Sequence, residues 1–316
     1  MAPYVVAAAL SAVWCGAAIW LGPRLGFVDH PERSELTAHR RPAVPLGGVG
    51  IYLGVIAGSV VGDDWSVPLV VAGGLILVLG LADDRFGLSP ITRLIVQGMA
   101  AVIVVASLGS GLWWSVFAVI LILVSVNALN LYDGLDGLAG LSGAVSALGL
   151  AVLSSNRGLG VETPLILSAA LGGFLIFNWH PARVFLGNSG AYLVGLLLVS
   201  QILEVSEESV ADTLVVSAVL GVFLLDLIVS IIRRIMAGGH LFAGDRNHLY
   251  DQLRGRGASV PAVALTSAAA QAAFVVVGVI LDQAVTIYVA LLVMVSLLIV
   301  VVALLGRAGF ITPRST

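Results

Sequence analysis

Eleven apolar stretches, separated by short polar breaks, run along the chain. They lie at about 2–22, 46–62, 67–82, 91–108, 113–130, 138–154, 164–178, 189–203, 210–232, 261–281 and 284–306. Each is close to the roughly 20 residues that a helix needs to cross a hydrocarbon core. A bilayer solvates no loop backbone, so every polar break marks a return to water. The pattern predicts an all-α fold: a polytopic integral membrane protein with about 10–11 transmembrane helices in one domain, residues 1–316. The largest polar insertion is the segment 233–260, and no soluble domain, repeat or long linker is visible. The first stretch has no basic leading region and no small-residue cleavage site, so it reads as a membrane span rather than a removed leader.

Composition strengthens this reading. With 59% hydrophobic residues, 10% charged residues and a mean hydropathy of +1.08, the chain is too apolar for a soluble domain and lacks the bias of a disordered one. The single cysteine, Cys15, lies in the first apolar stretch and excludes a disulfide framework or a cysteine zinc site. The 15 basic residues are all arginines. With the N-terminus placed outside, only Arg157 falls on the outer side, which orients the protein by the positive-inside rule. The unusual polar clusters then share the cytoplasmic face, and the candidate chemistry with them.

The dipeptide Asp-Asp occurs twice. Asp63-Asp64, beside Trp65 and Pro68, reads as a solvated outer turn. Asp83-Asp84 closes the third apolar stretch on the arginine side, where neighbouring carboxylates repel unless a cation offsets them. Such a pair can bind Mg²⁺ or take a proton from a phosphate or hydroxyl; the plainer alternative is a helix end with Arg85 as counter-ion. Asn127, Asn130, Asp133 and Asp136 recur every three residues, a spacing that drifts around a helix. A break at Gly134 or Gly137 would let these amides and carboxylates converge. Asn178 to Asn188 offers two amides and the aromatic face of Phe185, against the alternative of an ordinary interfacial loop. The Arg233 to Arg256 loop carries Arg246 and His248, suited to phosphate recognition and proton transfer. The first inner loop, with Arg41 and its Gly47-Gly48 close, could wrap a phosphate. Asp226, inside an apolar stretch, calls for a partner.

Taken in this order, these segments resemble the polyprenyl-phosphate N-acetylhexosamine-1-phosphate transferase family, over nearly the whole chain. The resemblance implies a membrane enzyme of the bacterial inner membrane, its site facing the cytoplasm, that moves a sugar 1-phosphate from a UDP-sugar to a polyprenyl phosphate and releases UMP. It implies Asp83 as the base that deprotonates the lipid phosphate, with Asp84 beside it near the metal and His248 in a catalytic loop. Asn130, Asp133 and Asp136 would contact metal, diphosphate and nucleotide, and Asn178 and Phe185 would lie near the uridine. Arg41 and Arg246 would meet substrate phosphates. The metal set that the resemblance implies is Asp84, Asn130, Asp136 and Asn188, which would hold Mg²⁺, with Mn²⁺ as the alternative. Partners are the two substrates and membrane lipid, with a homodimer as a candidate assembly and no nucleic acid.

Two positions depart from the family pattern. Asn188 stands where an aspartate metal ligand is usual, and Tyr250-Asp251 replace repeated histidines. An amide oxygen can coordinate Mg²⁺ but brings no charge to dehydrate it. These departures keep open an inactive paralogue or a lipid-linked-sugar transporter as the alternative. A transporter, however, is expected to carry ionisable groups near mid-bilayer, and Asp226 alone does so here. A CDP-alcohol phosphotransferase is disfavoured because Asp133-Gly-Leu-Asp-Gly137 continues without an arginine.

Overall fold

The computed structural model describes residues 1–29, 42–206, 208–238, 247–284 and 286–311. Helices α1 (Ala2–Leu25), α2 (Gly47–Val61), α3 (Val67–Phe86), α4 (Pro90–Ser107), α5 (Leu112–Tyr132), α6 (Leu138–Asn156) and α7 (Glu162–Asn178) make up the first part of the chain. They are followed by α8 (Gly187–Val205), α9 (Val210–Val216), a 3₁₀ turn (Ser217–Leu220), α10 (Gly221–Met236), α11 (Leu249–Gly255), α12 (Val260–Ala284) and α13 (Ile287–Arg307). Among the described residues, nine helical stretches are long and apolar enough to cross a membrane, with α9 to α10 counted as one; α2 and α7 are shorter apolar helices. The eleven predicted spans are thus present as helices, and the protein is an all-α, multi-pass membrane protein. The short α11 is an addition to the expected loop.

Helix α8 is the axis of the bundle. Nearly every one of its side chains is buried, and α2, α3, α5 and α6 pack around it. Close approach is achieved with glycine: a Cβ on Gly80 would lie 2.2 Å from Ser189 Cα, and one on Gly48 only 2.4 Å from the Gly190 nitrogen. At such separations backbone meets backbone, a packing mode that needs small residues when lipid offers no hydrophobic drive between helices. At the periphery α13 has only Ala290 buried. Its exposed Leu292, Ile299 and Leu304 suit a lipid-facing helix, as does the apolar exterior of α4 and α5.

The stretch predicted as one span at 210–232 is broken. Between α9 and α10 the chain tightens into the 3₁₀ turn, and Phe274 of α12 presses on Gly221, where a Cβ would meet its ring at 2.2 Å. The side chain of Gln271, itself fully buried, donates to the Val219 carbonyl at 2.7 Å and accepts from the Val222 N–H at 3.0 Å. One amide therefore supplies the hydrogen bonds that the interrupted helix lacks, which the membrane interior demands.

Arg157, the exception to the arginine asymmetry, is neutralised. It meets Asp212 through two bonds of 2.7 Å, pairs with Asp282 and donates to the Val205 carbonyl at 3.0 Å. This cluster ties the end of α6 to the start of α9 and the end of α12.

Candidate active site

The ends of α3, α5 and α7 and the start of α8 gather at one end of the bundle. Gly87, with φ +65°, ends α3 just beyond Asp83 and Asp84. The start of α8 is reached through Gly187, whose φ is +71° and whose missing Cβ would lie 2.8 Å from an Asp84 carboxylate oxygen. Asp84 consequently caps α8: Oδ1 accepts the Asn188 N–H at 3.0 Å and Oδ2 the Ser189 N–H at 3.5 Å. The positive end of the helix dipole favours a carboxylate there.

Beside this cap lies a cavity of ≈ 900 Å³, lined by Asp84, Asn130, Asp133, Asp136, Asn178, Phe185 and Asn188 together with Asp29, His180, Arg254, Ser259 and Pro261. Asn130 donates to the Asn188 side-chain oxygen at 2.6 Å. Asp133, just past the end of α5, is pushed up to about 7, first by burial and then by the charges of Asp84 and Asp136. Asp136 is fixed from two directions: His180 Nδ1 lies 2.7 Å from its Oδ2, and the Ala182 N–H donates to the same atom at 3.1 Å. His180 itself is 42% exposed and stands at the rim. Phe185 is half-buried in the wall.

Several expected site residues are turned elsewhere. Asp83 is buried and does not line the cavity; its carboxylate takes the Leu88 N–H at 2.8 Å, the Tyr192 hydroxyl at 2.8 Å and Arg93 at 3.4 Å. The reason is helical: adjacent positions point about 100° apart, so only one of the two acids can face the cavity. His248 likewise does not line it. It is buried, with Nδ1 2.6 Å from Asp226 and its ring stacked on Tyr250 at 5.3 Å. This answers the expected need of Asp226 for a partner. Asn178 spends both ends of its amide on backbone, accepting from Gly137 N–H and donating to the Val184 carbonyl at 2.9 Å each. It braces the loops rather than offering an amide to a ligand. Asp251 caps α11 by accepting the His248 N–H at 3.3 Å; it lies outside the cavity lining and so does not replace a carboxylate at Asn188. Tyr250 donates to the Leu131 carbonyl at 3.1 Å, under the polar run. Arg41 and Arg246 lie outside the described residues.

The donor set bears on metal binding. Among the described residues no three Asp, Glu, His or Cys side chains cluster to hold an ion by themselves. Mg²⁺ commonly sits on one or two carboxylates plus substrate phosphates rather than in a protein cage. Asp84, Asp133, Asp136 and the Asn130 amide oxygen, all in the cavity wall, fit that requirement. Asp136 keeps Oδ1 for an ion although Oδ2 meets His180 and Ala182, whereas the Asn188 oxygen already accepts from Asn130.

His180, Arg254 and Asp29 were not expected as site residues. The available signal for His180 was its place between Asn178 and Phe185, and for Arg254 its membership of the Arg233 to Arg256 loop; for Asp29 there was none.

Comparison with known proteins places these features in context. A family model described as glycosyl transferase family 4 matches residues 66–206, from the turn before α3 to the end of α8. The chain is 30% identical to the decaprenyl-phosphate N-acetylglucosaminephosphotransferase of Mycobacterium tuberculosis (strain H37Rv), covering 74% of this chain and 70% of that protein. It is 31% identical to the enzyme of the same name from Mycobacterium leprae, covering 74% and 71%. It is 28% identical to a protein of Bacillus subtilis named as a probable undecaprenyl-phosphate N-acetylglucosaminyl 1-phosphate transferase, covering 75% and 72%.

Proposed function

The chain belongs to glycosyl transferase family 4, and from that premise we propose that it is an enzyme transferring a sugar 1-phosphate, an N-acetylhexosamine 1-phosphate, from a UDP-sugar to a polyprenyl phosphate. In the reaction an oxygen of the lipid phosphate bonds to the β-phosphorus of the donor, the bond from that phosphorus to the bridging oxygen breaks, and UMP leaves with that oxygen. The observation that carries the reading is the convergence of Asp84, Asn130, Asp133, Asp136 and Asn188 on one cavity at the end of a membrane bundle. A water-soluble donor and a lipid-anchored acceptor can meet only at such a boundary.

The chain's own groups divide the work as follows. Asp84, fixed on the start of α8, and Asp133 face the cavity and keep the acceptor phosphate ionised. The resemblance implied this role for Asp83, whose buried carboxylate is bonded to Tyr192 and Arg93. Phe185 presents its face to the planar base, and the Asp136–His180 pair orients the rim. Mg²⁺, or Mn²⁺ in its place, would be held by Asp84, Asp133, Asp136 and the Asn130 amide oxygen, and when bound would offset the mutual repulsion of acceptor phosphate and donor diphosphate. The arginine asymmetry supports a cytoplasmic face for the site in a bacterial inner membrane.

The test is direct. Purified full-length protein is incubated with Mg²⁺, polyprenyl phosphate and a panel of radiolabelled UDP-sugars, and UMP and lipid-linked product are followed. Transfer from a UDP-N-acetylhexosamine is expected; absence of UMP from every donor would favour the inactive paralogue.

A further inference from the structure

We propose that Arg254 is a substrate-binding residue that grips a phosphoryl group in the cavity; this inference deepens the transferase reading and rests on it. The cavity wall carries four carboxylates, Asp29, Asp84, Asp133 and Asp136, and a single guanidinium, that of Arg254, among the described residues. Both substrates of the proposed reaction are phosphate anions, which four carboxylates alone would repel. A fixed cation is therefore needed besides any bound metal.

Among the described residues, the other arginines that make side-chain contacts make them outside the cavity lining, Arg233 on the Ser230 hydroxyl among them. Arg93 meets Asp83, Arg157 meets Asp212 and Asp282, and Arg85 donates to the Gly26 carbonyl. Arg24 lies over Trp20, Arg183 over Phe177 and Arg256 over Phe310. Arg254 differs in its place, as the arginine that lines the cavity. Its Nη1 donates to the Ala258 carbonyl at 2.5 Å, which pins the side chain at the end of α11. Its Nε and Nη2 make no hydrogen bond among the described residues. Those two nitrogens form the side edge of the guanidinium, whose parallel N–H bonds match two oxygens of one phosphate. One nitrogen thus sets the direction and the remaining edge is presented to the ligand.

The two sources of such a phosphate, the nucleotide diphosphate and the lipid head, are separated by experiment. In the purified full-length protein, Arg254→Gln keeps a donor for Ala258 but removes the charge, and Arg254→Lys keeps the charge but not the fork. Loss of charge-assisted bonds is expected to raise the KM of the substrate concerned about ten- to a hundredfold, with a smaller change in kcat and partial recovery in the lysine variant. A raised KM for the UDP-sugar, with weakened thermal stabilisation by UDP and Mg²⁺, assigns the donor diphosphate. A raised KM for polyprenyl phosphate with unchanged stabilisation by UDP assigns the lipid phosphate. Both KM values within twofold of the parent, with or without a lower thermal midpoint, would overturn the proposal by reducing Arg254 to a cap on α11. If the parent protein shows neither stabilisation by UDP nor transfer, the reading of the whole site fails, an outcome distinct from failure of Arg254 alone.

Discussion

Asp84 Oδ1 accepts the backbone N–H of Asn188 at 3.0 Å, across 104 residues of sequence. The carboxylate that faces the cavity is therefore also the cap of the central helix. Its neighbour Asp83, one position back, is held by Tyr192, Leu88 and Arg93.

This division predicts opposite signatures for two similar substitutions. Asp84→Asn, which retains shape and loses charge, is expected to lower kcat at least about a hundredfold while the protein stays folded. Asp83→Asn weakens the tie to Arg93 and is expected chiefly to lower the thermal midpoint, with a lesser fall in turnover. UMP release and thermal unfolding in detergent measure both; the reverse pattern would return the catalytic role to Asp83.

Asp133 gives the site a pH dependence. Its carboxyl is raised from the ordinary value near 3.9 to about 7. The folded state therefore holds the proton more tightly than the unfolded state does. The resulting contribution to stability is fully present below about pH 4 and is lost as pH rises through about 7. Metal-free protein is accordingly expected to gain thermal stability on Asp133→Asn at pH 8 and not at pH 4. Divalent-cation affinity of the parent should climb with pH up to about 7, because the ligand must shed its proton. Thermal scans in chelator, and cation titrations at several pH values, test the two halves.

Removal of Arg157 leaves Asp212 and Asp282 facing one another in a partly buried setting. Arg157→Gln is expected to cost about 2–4 kcal/mol. Asp282→Asn should cost less, because the two bonds to Asp212 remain. Since this cluster joins the C-terminal ends of α6 and α12 to α9, whereas the cavity meets α12 at its opposite end through Val260 and Pro261, turnover at low temperature should persist in both variants. Heat-inactivation midpoints and residual activity together decide it.

Gly80 and Gly98 form a paired control for helix packing. A Cβ on Gly80 would fall 2.2 Å from Ser189 Cα, whereas one on Gly98 meets nothing within 4 Å. Gly80→Ala should force α3 from α8, separating Asp84 from Asn188 and reducing both folded yield and transfer. Gly98→Ala should be harmless or stabilise by up to about 1 kcal/mol. Size-exclusion yield and activity of the two proteins are the measurements.

The membrane architecture was legible because hydrophobic length is a local property: each apolar stretch became a helix within a few residues of its expected ends. The break at Ser217–Leu220 was not, because its cause, Gln271, lies some fifty residues later and the residues of the break are mostly apolar. The same limit divides the candidate site. Residue type and spacing singled out Asp84, Asn130, Asp133, Asp136, Phe185 and Asn188, all of which line the cavity. Spacing cannot say which of two adjacent acids turns inward, that the Asn178 amide is consumed by Gly137 and Val184, or that Asp226 claims His248. Arg254 read as one more arginine of a basic loop until its neighbours were known.

The Gln271 amide seals a gap in a helix to which it does not belong. The bend between α9 and α10 is thus shared property: a chimaera that imported α9 and α10 without the matching α12 would carry an open carbonyl and an open N–H into oil. Any recombination point within this protein should fall outside the interval from 210 to 284, where two distant stretches of sequence must be inherited together.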